Sequence, residues 1–202
     1  MRLYPAQVIK QADLVLAMHW LGHAFTREQK ARNVDYYERR TTRDSSLSAC
    51  TQAVLCAEVG HLELAYDYAY ETAVIDLRDL HHNTRDGLHM ASLAGAWTAL
   101  VAGFGGLRDD EGCLCLDPQL PDGISRLRFR LRWRGFRLVV DVGHDQVSYA
   151  LRDGPDGVLA IRHGGKDVHL STQSSTTVAL RARGPLLPLP PQPPGLQPIS
   201  RH

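Results

Sequence analysis

The sequence predicts an α plus β protein whose helices and strands occupy separate parts of the chain. From about Gln11 to Phe104 apolar residues recur every three or four positions, as on one face of a helix. After Gly105-Gly106 they alternate, which is the period of a strand. Beyond Gly184 the chain is too rich in proline to continue either pattern. We therefore predict helices within residues 1–106, a small antiparallel β-domain over residues 107–182 and a disordered tail over residues 183–202.

Four apolar series define the helical part, and they begin near Leu14, Ala53, Leu62 and Met90. The last series, Met90 to Phe104, is shorter than the roughly 20 apolar residues that span a bilayer. We expect it to be a buried helix, with Trp97 in the core rather than serving as a sugar platform. The chain is thus expected to have no membrane partner.

An arginine run stands out in the β part. Arg126, Arg128, Arg130, Arg132, Arg134 and Arg137 alternate with apolar residues, which predicts that they share one face of a strand. The net charge of the chain is only +1. Because dedicated nucleic-acid binders are usually strongly basic, we expect a solvated strand face and no nucleic-acid partner. Further alternating segments are predicted at residues 136–142, 147–151, 158–161 and 168–170.

Composition narrows the class of protein further. A chain of 202 residues with 44% hydrophobic content can bury a core in one or two domains. The first residues lack the apolar segment of a signal peptide, so we expect a cytoplasmic protein. Because Cys50, Cys56, Cys113 and Cys115 form no CxxC pair, we expect free thiols. No metal site is expected, since His81-His82 lacks further ligands at a workable spacing.

Three polar clusters precede predicted helices and could face a common centre: Lys10 to Asp13, Thr41 to Ser48 and Asp86 to His89. Helix N-termini bind phosphate through free backbone N–H groups. In the middle cluster, Asp44 can cap a helix while Ser45 and Ser46 in its first turn offer hydroxyls. The clusters together predict an anion- and sugar-binding site.

Each cluster also has a plainer interpretation. Lys10-Gln11 could be an ordinary exposed helix start, and Asp44 an N-cap that stabilises its helix by about 1 kcal/mol. His89 could be a half-buried histidine that is hydrogen-bonded to a backbone carbonyl. The residues alone leave these alternatives open.

Four strings occur in the order KQAD, YYERRTTRDSSLS, AEVGHLELAYDY and DGLHMASLAGAWTALVAGFGG. Together they resemble the C-terminal part of glycoside hydrolase family 65, which holds maltose, trehalose and kojibiose phosphorylases. The resemblance runs from about Pro5 to Leu180. It implies the C-terminal helices of an (α/α)6 barrel, followed by a β-sandwich-like domain. Because such a barrel needs more helices than this chain supplies, we expect an open apolar surface where the missing helices belong.

The resemblance also implies a reaction, the inverting phosphorolysis of an α-linked glucosyl disaccharide. Inorganic phosphate is then the co-substrate, and no cofactor is required. Ser45, Ser46 and His89 match the family's phosphate site, whereas Lys10 and Gln11 match its substrate-binding pair. Phosphorylases of this family are commonly dimers, so a homodimer or an association with a missing upstream portion is open.

The general acid of the family is a glutamate upstream of KQAD, so we expect this chain to lack a catalytic residue and to be inactive alone. Glu38 and Asp44 do not match the acid's motif. Arg43 stands where many phosphorylases have histidine, and could hold phosphate more firmly or mark a subgroup. Two other functions stay open: a hydrolase of the same family, similar to a trehalase or kojibiase, and a non-catalytic carbohydrate-binding remnant.

Overall fold

The computed structural model describes residues 8–11, 13–43 and 45–201. It divides into two compact units, one of Met1–Leu100 with Gly184–His202 and one of Val101–Arg183. The first unit is helical, as predicted. Its helices are α1 (Asp13–Trp20), α2 (Arg27–Glu38), α3 (Ser48–Val59), α4 (Leu62–Val74) and α5 (Met90–Thr98), and a π-helical segment, Ala99–Phe104, continues α5.

Helix ends follow local sequence signals in α2 and the C-terminus of α3. Thr26 and Gln29 form a reciprocal capping box at the start of α2. Gly60, with φ 99°, ends α3 because glycine adopts a left-handed conformation without a Cβ penalty. The start of α3 differs from our expectation. Ser45 and Ser46 lie in the turn before the helix, and Leu47 is its N-cap without a side-chain bond; Asp44 lies outside the described residues.

Helix α3 is the centre of the helical unit. It contacts α1, α2, α4 and α5. Its residues Ala53, Val54, Leu55 and Cys56 are fully buried. A helix that is apolar on most sides must be surrounded to bury them. The remaining helices therefore take their positions from α3.

The buried helix predicted over Met90 to Phe104 is confirmed only in part: the π-helical segment Ala99–Phe104 is largely buried, but α5 is not. Trp97 is 55% exposed and Met90 70% exposed, while the small residues Ser92 and Gly95 are buried. A Cβ at Gly95 would lie 2.7 Å from Cys50 Cβ, so α5 approaches α3 through its small residues. The large apolar side chains are thereby left on the outer side. Among the described residues no helix is long and apolar enough to cross a membrane.

The expected exposed apolar surface is present on the helical unit. Trp20 at the end of α1 is 73% exposed, and Leu93 and Trp97 on α5 are also exposed. Exposed apolar side chains of this kind are typical of surfaces that pack against other protein.

The second unit contains two four-stranded sheets. The strands are β1 (Arg108–Asp110), β2 (Cys113–Leu116), β3 (Leu127–Trp133), β4 (Phe136–Val142), β5 (Gln146–Asp153), β6 (Leu159–His163), β7 (Lys166–Leu170) and β8 (Thr176–Ala179). Their orders are β1-β2-β6-β7 and β3-β4-β5-β8. The prediction of an antiparallel domain is wrong at one pair, because β2 and β6 run parallel. The long connection through β3, β4 and β5 makes a parallel pair possible.

The second sheet has one apolar face and one basic face. Leu138, Val140 and Tyr149 are fully buried on the first, and the Tyr149 hydroxyl lies 2.8 Å from His163 Nδ1 on the other sheet. On the opposite face Arg128, Arg130 and Arg132 are exposed, which confirms the predicted alternation along β3.

Three members of the arginine run lie off β3. Arg126 is the residue before the strand begins. Arg134 occupies the hairpin turn with Gly135, and both residues have positive φ, as a type I′ turn requires. Arg137 lies on the neighbouring strand β4, directly opposite Arg132. The expectation that the whole run lies on one strand is therefore wrong at these three positions.

The Pro-rich end has no helix or strand within residues 184–201. It is nevertheless part of the helical unit, so the prediction of a tail that does not pack is wrong. Arg201 forms ion pairs with Glu63 and Asp67 of α4, and the backbone N–H of Ile199 donates to Glu71. Proline has no backbone N–H to donate, but the Arg201 side chain and the Ile199 N–H still bind carboxylates of α4. We call residues 192–201 the C-terminal strap.

The close approach of α5 to α3 can be tested by replacing Gly95 with alanine. Alanine favours a helix by about 1 kcal/mol over glycine, but its Cβ would overlap Cys50, and overpacking costs about 1–3 kcal/mol. We expect a net decrease in the free energy of unfolding, measured by urea denaturation. Gly184→Ala is the matched control, because its Cβ would meet open space. An unchanged or raised stability of Gly95→Ala would contradict this packing.

Candidate functional site

The first and second polar clusters meet in the structure. Ile9 pairs with Thr41 as a parallel bridge, and the backbone N–H of Thr42 donates to Ile9 O over 2.7 Å. This pairing places Gln11 beside the turn that contains Ser45 and Ser46, which we call the serine turn. The Ser45 hydroxyl donates to Gln11 Oε1 at 2.9 Å and accepts from the Leu47 N–H at 3.3 Å. The contact joins residues that are 34 positions apart in the chain.

Helix α5, which the third cluster precedes, is bonded to the second cluster. Ser92, in the first turn of that helix, donates its hydroxyl proton to Ser46 O at 2.9 Å. His89 is the residue at the N-cap of the same helix. The third cluster is thus linked to the second through Ser92, which lies outside both clusters, whereas the first and second clusters are bonded directly. Lys10 is exposed, and no carboxylate of the described ranges pairs with it.

The His89 ring is held by a carboxylate rather than by a backbone carbonyl. Its Nδ1 lies 2.6 Å from Asp76 Oδ1, and the His89 backbone N–H donates to Asp76 Oδ2 at 2.9 Å. The hydrogen bond from the His89 ring has the larger effect, and with the backbone N–H bond it lowers the pKa of Asp76 below its ordinary range. An ionised Asp76 accepts the Nδ1 proton, so Nε2 is the ring nitrogen that can meet a ligand.

A cavity of about 330 Å³ lies against the serine turn. Ser45, Ser46 and His81 line it together with Thr42, whose buried hydroxyl has no partner among the described residues. The rings of His81 and His89 are 5.6 Å apart. Hydroxyls and the His81 imidazole at one cavity are suited to an oxyanion, because both can donate hydrogen bonds. The predicted site residues Lys10, Gln11 and His89 do not line this cavity.

The sequence leaves open whether Arg43 holds phosphate or marks a subgroup. In the structure its guanidinium is bound by other protein groups. Its Nη1 donates to both carboxylate oxygens of Glu71 at 2.9 and 3.1 Å, its Nη2 donates to the Leu196 carbonyl, and its guanidinium lies over the Tyr68 ring. The backbone at Arg43 has φ 59°, an uncommon value for a residue with a side chain. These contacts neutralise the charge and fix the residue before the serine turn.

Glu38 is buried away from the cavity lining, with 4% of its surface exposed. Its carboxylate accepts hydrogen bonds from the Tyr68 hydroxyl at 2.6 Å and from the amides of Gln52 at 2.8 Å and Gln192 at 2.9 Å. Burial raises the pKa of Glu38, and the hydrogen bonds oppose that shift. The carboxylate is saturated by protein donors. This fits the sequence interpretation that Glu38 is not the general acid.

The C-terminal strap closes one side of the cavity. Gly195, Leu196, Gln197 and Ile199 line it opposite the serine turn. Sequence reasoning missed this part of the site, as well as Asp76, Glu71 and Ser92. Asp76 and Glu71 follow no local motif. Glu71 meets Arg43 only when α4 packs beside the turn, and Asp76 meets His89 only when the chain after α4 folds back to the start of α5. Ser92 lies within the HMAS string and could have been found from its position one turn after His89.

The chain has a helical unit with a hydroxyl-rich site at its helix starts, and a separate β-unit of two sheets. Comparison with family models then defines its class, a carbohydrate-active enzyme. Residues 1–98 match the glycosyl hydrolase family 65 central catalytic domain, and residues 107–170 match the family's C-terminal domain. The chain belongs to glycoside hydrolase family 65, which confirms the resemblance seen in its motifs.

Relatives and a solved structure agree with this membership. An uncharacterized glycosyl hydrolase of Mycobacterium tuberculosis (strain ATCC 25618 / H37Rv) is 76% identical over 201 residues, which are 100% of this chain and 26% of that protein. Kojibiose phosphorylase of Halothermothrix orenii is 40% identical over 76% of this chain and 20% of its own length. Alpha,alpha-trehalose phosphorylase of Geobacillus stearothermophilus is 42% identical over 84% of this chain and 22% of its own.

The structural comparison gives the same result. A human-microbiome protein of solved structure, provisionally named a kojibiose phosphorylase, superposes with a TM-score of 0.81 at 30% identity. The match covers 88% of this chain and 24% of that one. The chain therefore spans about a quarter of the length of the relatives that it matches.

The buried carboxylate makes a prediction about pH. Because the pKa of Glu38 is raised above its ordinary value of 4.5, its contribution to stability is fully present below the unfolded pKa and is lost as pH rises through the folded pKa. Relative to a Glu38→Gln variant, the wild type should lose free energy of unfolding from pH about 4 towards neutrality. Urea denaturation across that range measures the difference.

Glu28→Gln is the control for the same substitution. Glu28 lies in the first turn of α2, and hydrogen bonds from a backbone N–H and from Thr26 lower its pKa. Its wild type should instead gain stability relative to the variant as pH rises. If the free energy of unfolding changes with pH in the same way for the wild type and Glu38→Gln, the raised pKa of Glu38 is contradicted.

Proposed function

We propose that this chain supplies part of the active site of an inverting α-glucosyl disaccharide phosphorylase, which converts disaccharide and phosphate to glucose 1-phosphate and glucose. The observation that carries the proposal is the hydrogen bond from Ser45 to Gln11, beside the bond from Ser92 to Ser46. These contacts join the residues proposed for phosphate to those proposed for sugar.

Phosphate would be held by Ser45, Ser46 and His89. An inverting glycosidase needs a base to activate water, but phosphate is already an anion at neutral pH. The protein then has to orient the nucleophile rather than deprotonate it, which hydroxyls and an imidazole can do. Asp76 supports this role by fixing the His89 ring so that Nε2 is left for the oxyanion.

The sugar would be bound by Lys10 and Gln11. A carboxamide offers both donor and acceptor to a hydroxyl pair, and the exposed ammonium of Lys10 can contact a sugar hydroxyl or offset phosphate charge. The printed names of the relatives, kojibiose phosphorylase and trehalose phosphorylase, support an α-linked glucosyl disaccharide as the substrate class.

The rest of the active site would come from further helices of an (α/α)6 barrel. The exposed apolar side chains of α1 and α5, including Trp20 and Trp97, support packing against such helices. The general acid would lie on that part of the enzyme. The chain's length, about a quarter of that of its relatives, is consistent with this division.

A hydrolase is the second candidate, and two observations favour considering it. The Mycobacterium tuberculosis relative is named a glycosyl hydrolase, and Glu71 is a carboxylate that lines the cavity of the serine turn. However, Glu71 is paired with Arg43 and accepts the Ile199 N–H, so it is not available as a base. Phosphorolysis therefore has the better support.

We expect the 202-residue chain alone to release no glucose 1-phosphate from an α-glucobiose and phosphate. Proton transfer to the leaving group contributes about 10²–10⁴-fold, and positioning of the sugar contributes more. A coupled assay for glucose 1-phosphate measures this with maltose, trehalose and kojibiose. A rate similar to that of a full-length relative would show that an acid is present in this chain.

The phosphate role can be tested in the chain joined to the remaining length of a close relative. Ser45→Ala with Ser46→Ala, or His89→Ala, should raise the Michaelis constant for phosphate by about ten- to a hundred-fold per lost charge-assisted bond, since each such bond contributes roughly 1.5–3 kcal/mol. The constant for disaccharide should change much less. Lys10→Ala should affect both ligands.

Ser174→Ala with Ser175→Ala is the matched control, because this exposed serine pair lies in the β-unit. It should leave both constants unchanged. If the site variants weaken disaccharide and leave phosphate unaffected, the proposed roles are wrong. Release of free glucose without glucose 1-phosphate by the unmodified enzyme would instead identify the hydrolase.

A further inference from the structure

Four arginines surround a concavity on the basic face of the sheet β3-β4-β5-β8. Its volume is about 380 Å³, and Arg130, Arg132, Arg137 and Arg152 line it. All four side chains are exposed. Their guanidinium groups come from three neighbouring strands, so the sheet brings together charges that are separated in the sequence.

The strand register places like charges opposite each other. Arg132 pairs with Arg137 across β3 and β4, and opposite residues on one face have Cβ atoms about 4.5–5.5 Å apart. Like charges at such positions destabilise a sheet. Beside them Arg130 is opposite Val139, which is only 4% exposed although it lies on the basic face. The arginine stems therefore cover an apolar floor and leave their charged ends around it.

Few carboxylates compensate this charge. Asp141 lies on the same face but is bound by Arg126 and approached by Arg128 at 3.5 Å. Asp153 is 3.4 Å from Arg137. Within the described part of the chain, no carboxylate pairs with Arg130, Arg132 or Arg152. One carboxylate thus serves four guanidinium groups around the concavity.

We propose that this concavity binds a compact polyanion that carries two or more linked phosphate groups. Guanidinium groups bind phosphate oxygens through two parallel N–H donors. The exposed groups of Arg130, Arg132 and Arg152, which pair with no carboxylate among the described residues, can meet different phosphates. A single phosphate would satisfy fewer of them. A patch of four arginines on a chain with net charge +1 is too small for the extended backbone of a nucleic acid.

The site is independent of the proposed phosphorolysis, since its residues belong to the β-unit and those of the candidate active site to the helical unit. Its ligand class includes inorganic oligophosphates and small molecules with a diphosphate or triphosphate group. Tripolyphosphate is therefore a suitable probe, because it has this chemistry without a sugar or base.

Calorimetric titration of the complete chain at low salt tests the proposal. Tripolyphosphate should bind the wild type, and inorganic phosphate should bind at least about tenfold more weakly. Arg132→Gln should weaken tripolyphosphate about five- to tenfold. Arg162→Gln is the matched control: it removes the same charge from an exposed residue, but Arg162 lies on the other sheet and pairs with Asp167. The affinity of Arg162→Gln for tripolyphosphate should equal that of the wild type.

Three results would overturn the site. The first is no binding of tripolyphosphate. The second is an equal loss of affinity in Arg132→Gln and Arg162→Gln, which would indicate a general charge effect. The third is tighter binding of a single-stranded RNA oligonucleotide than of tripolyphosphate. Thermal unfolding without ligand gives a second measurement. Arg132→Gln should raise the melting temperature at low ionic strength by removing the repulsion with Arg137, and the gain should vanish at about 1 M salt. A lower melting temperature would contradict the uncompensated charge.

Discussion

The carboxylate of Glu38 is buried where α2, α3 and α4 meet, and its hydrogen bonds hold these helices to one another. Gln52 belongs to α3, Tyr68 to α4 and Gln192 to the C-terminal strap. A carboxylate without water is costly unless donors surround it. All three donors must therefore be in place at once, which couples the strap to the helical core.

The serine turn depends on the same arrangement. Arg43 follows Glu38 by five positions, and its guanidinium is fixed by Glu71 on α4 and by the strap carbonyl of Leu196. Ser45 then reaches Gln11, and Ser46 accepts from Ser92. The cavity is thus built on contacts that are themselves charged and polar. A change in the strap would be felt at the serine turn, although the two are about 150 residues apart in the chain.

Two groups of arginines in this chain have opposite surroundings. In the helical unit Arg43 and Arg201 each have carboxylate partners, so their charges are neutralised and serve to position other groups. In the β-unit the charges of Arg130, Arg132 and Arg152 have no such partner within the described residues. Paired arginines stabilise a fold, whereas a cluster without counter-ions is suited to an anionic ligand.

The sequence by itself determined the division into helices and strands, because the apolar period changes from about 3.6 to two after Gly105-Gly106. It also determined the family, since four ordered motifs are specific together. Lys10, Gln11, Ser45, Ser46 and His89 are the site residues that it predicts. These depend on local patterns that can be seen along the chain. The alternation of the arginines on β3 was likewise readable.

Only the tertiary structure decided which side chains meet. It placed Asp76 on His89, gave Arg43 to Glu71, exposed Trp97 and joined the Pro-rich end to α4. In the structure α3 starts after Ser46 and not before it, and Arg137 and Arg152 lie beside Arg132. These pairings join residues that are distant in sequence, and local propensity contains no term for partners that only packing brings together.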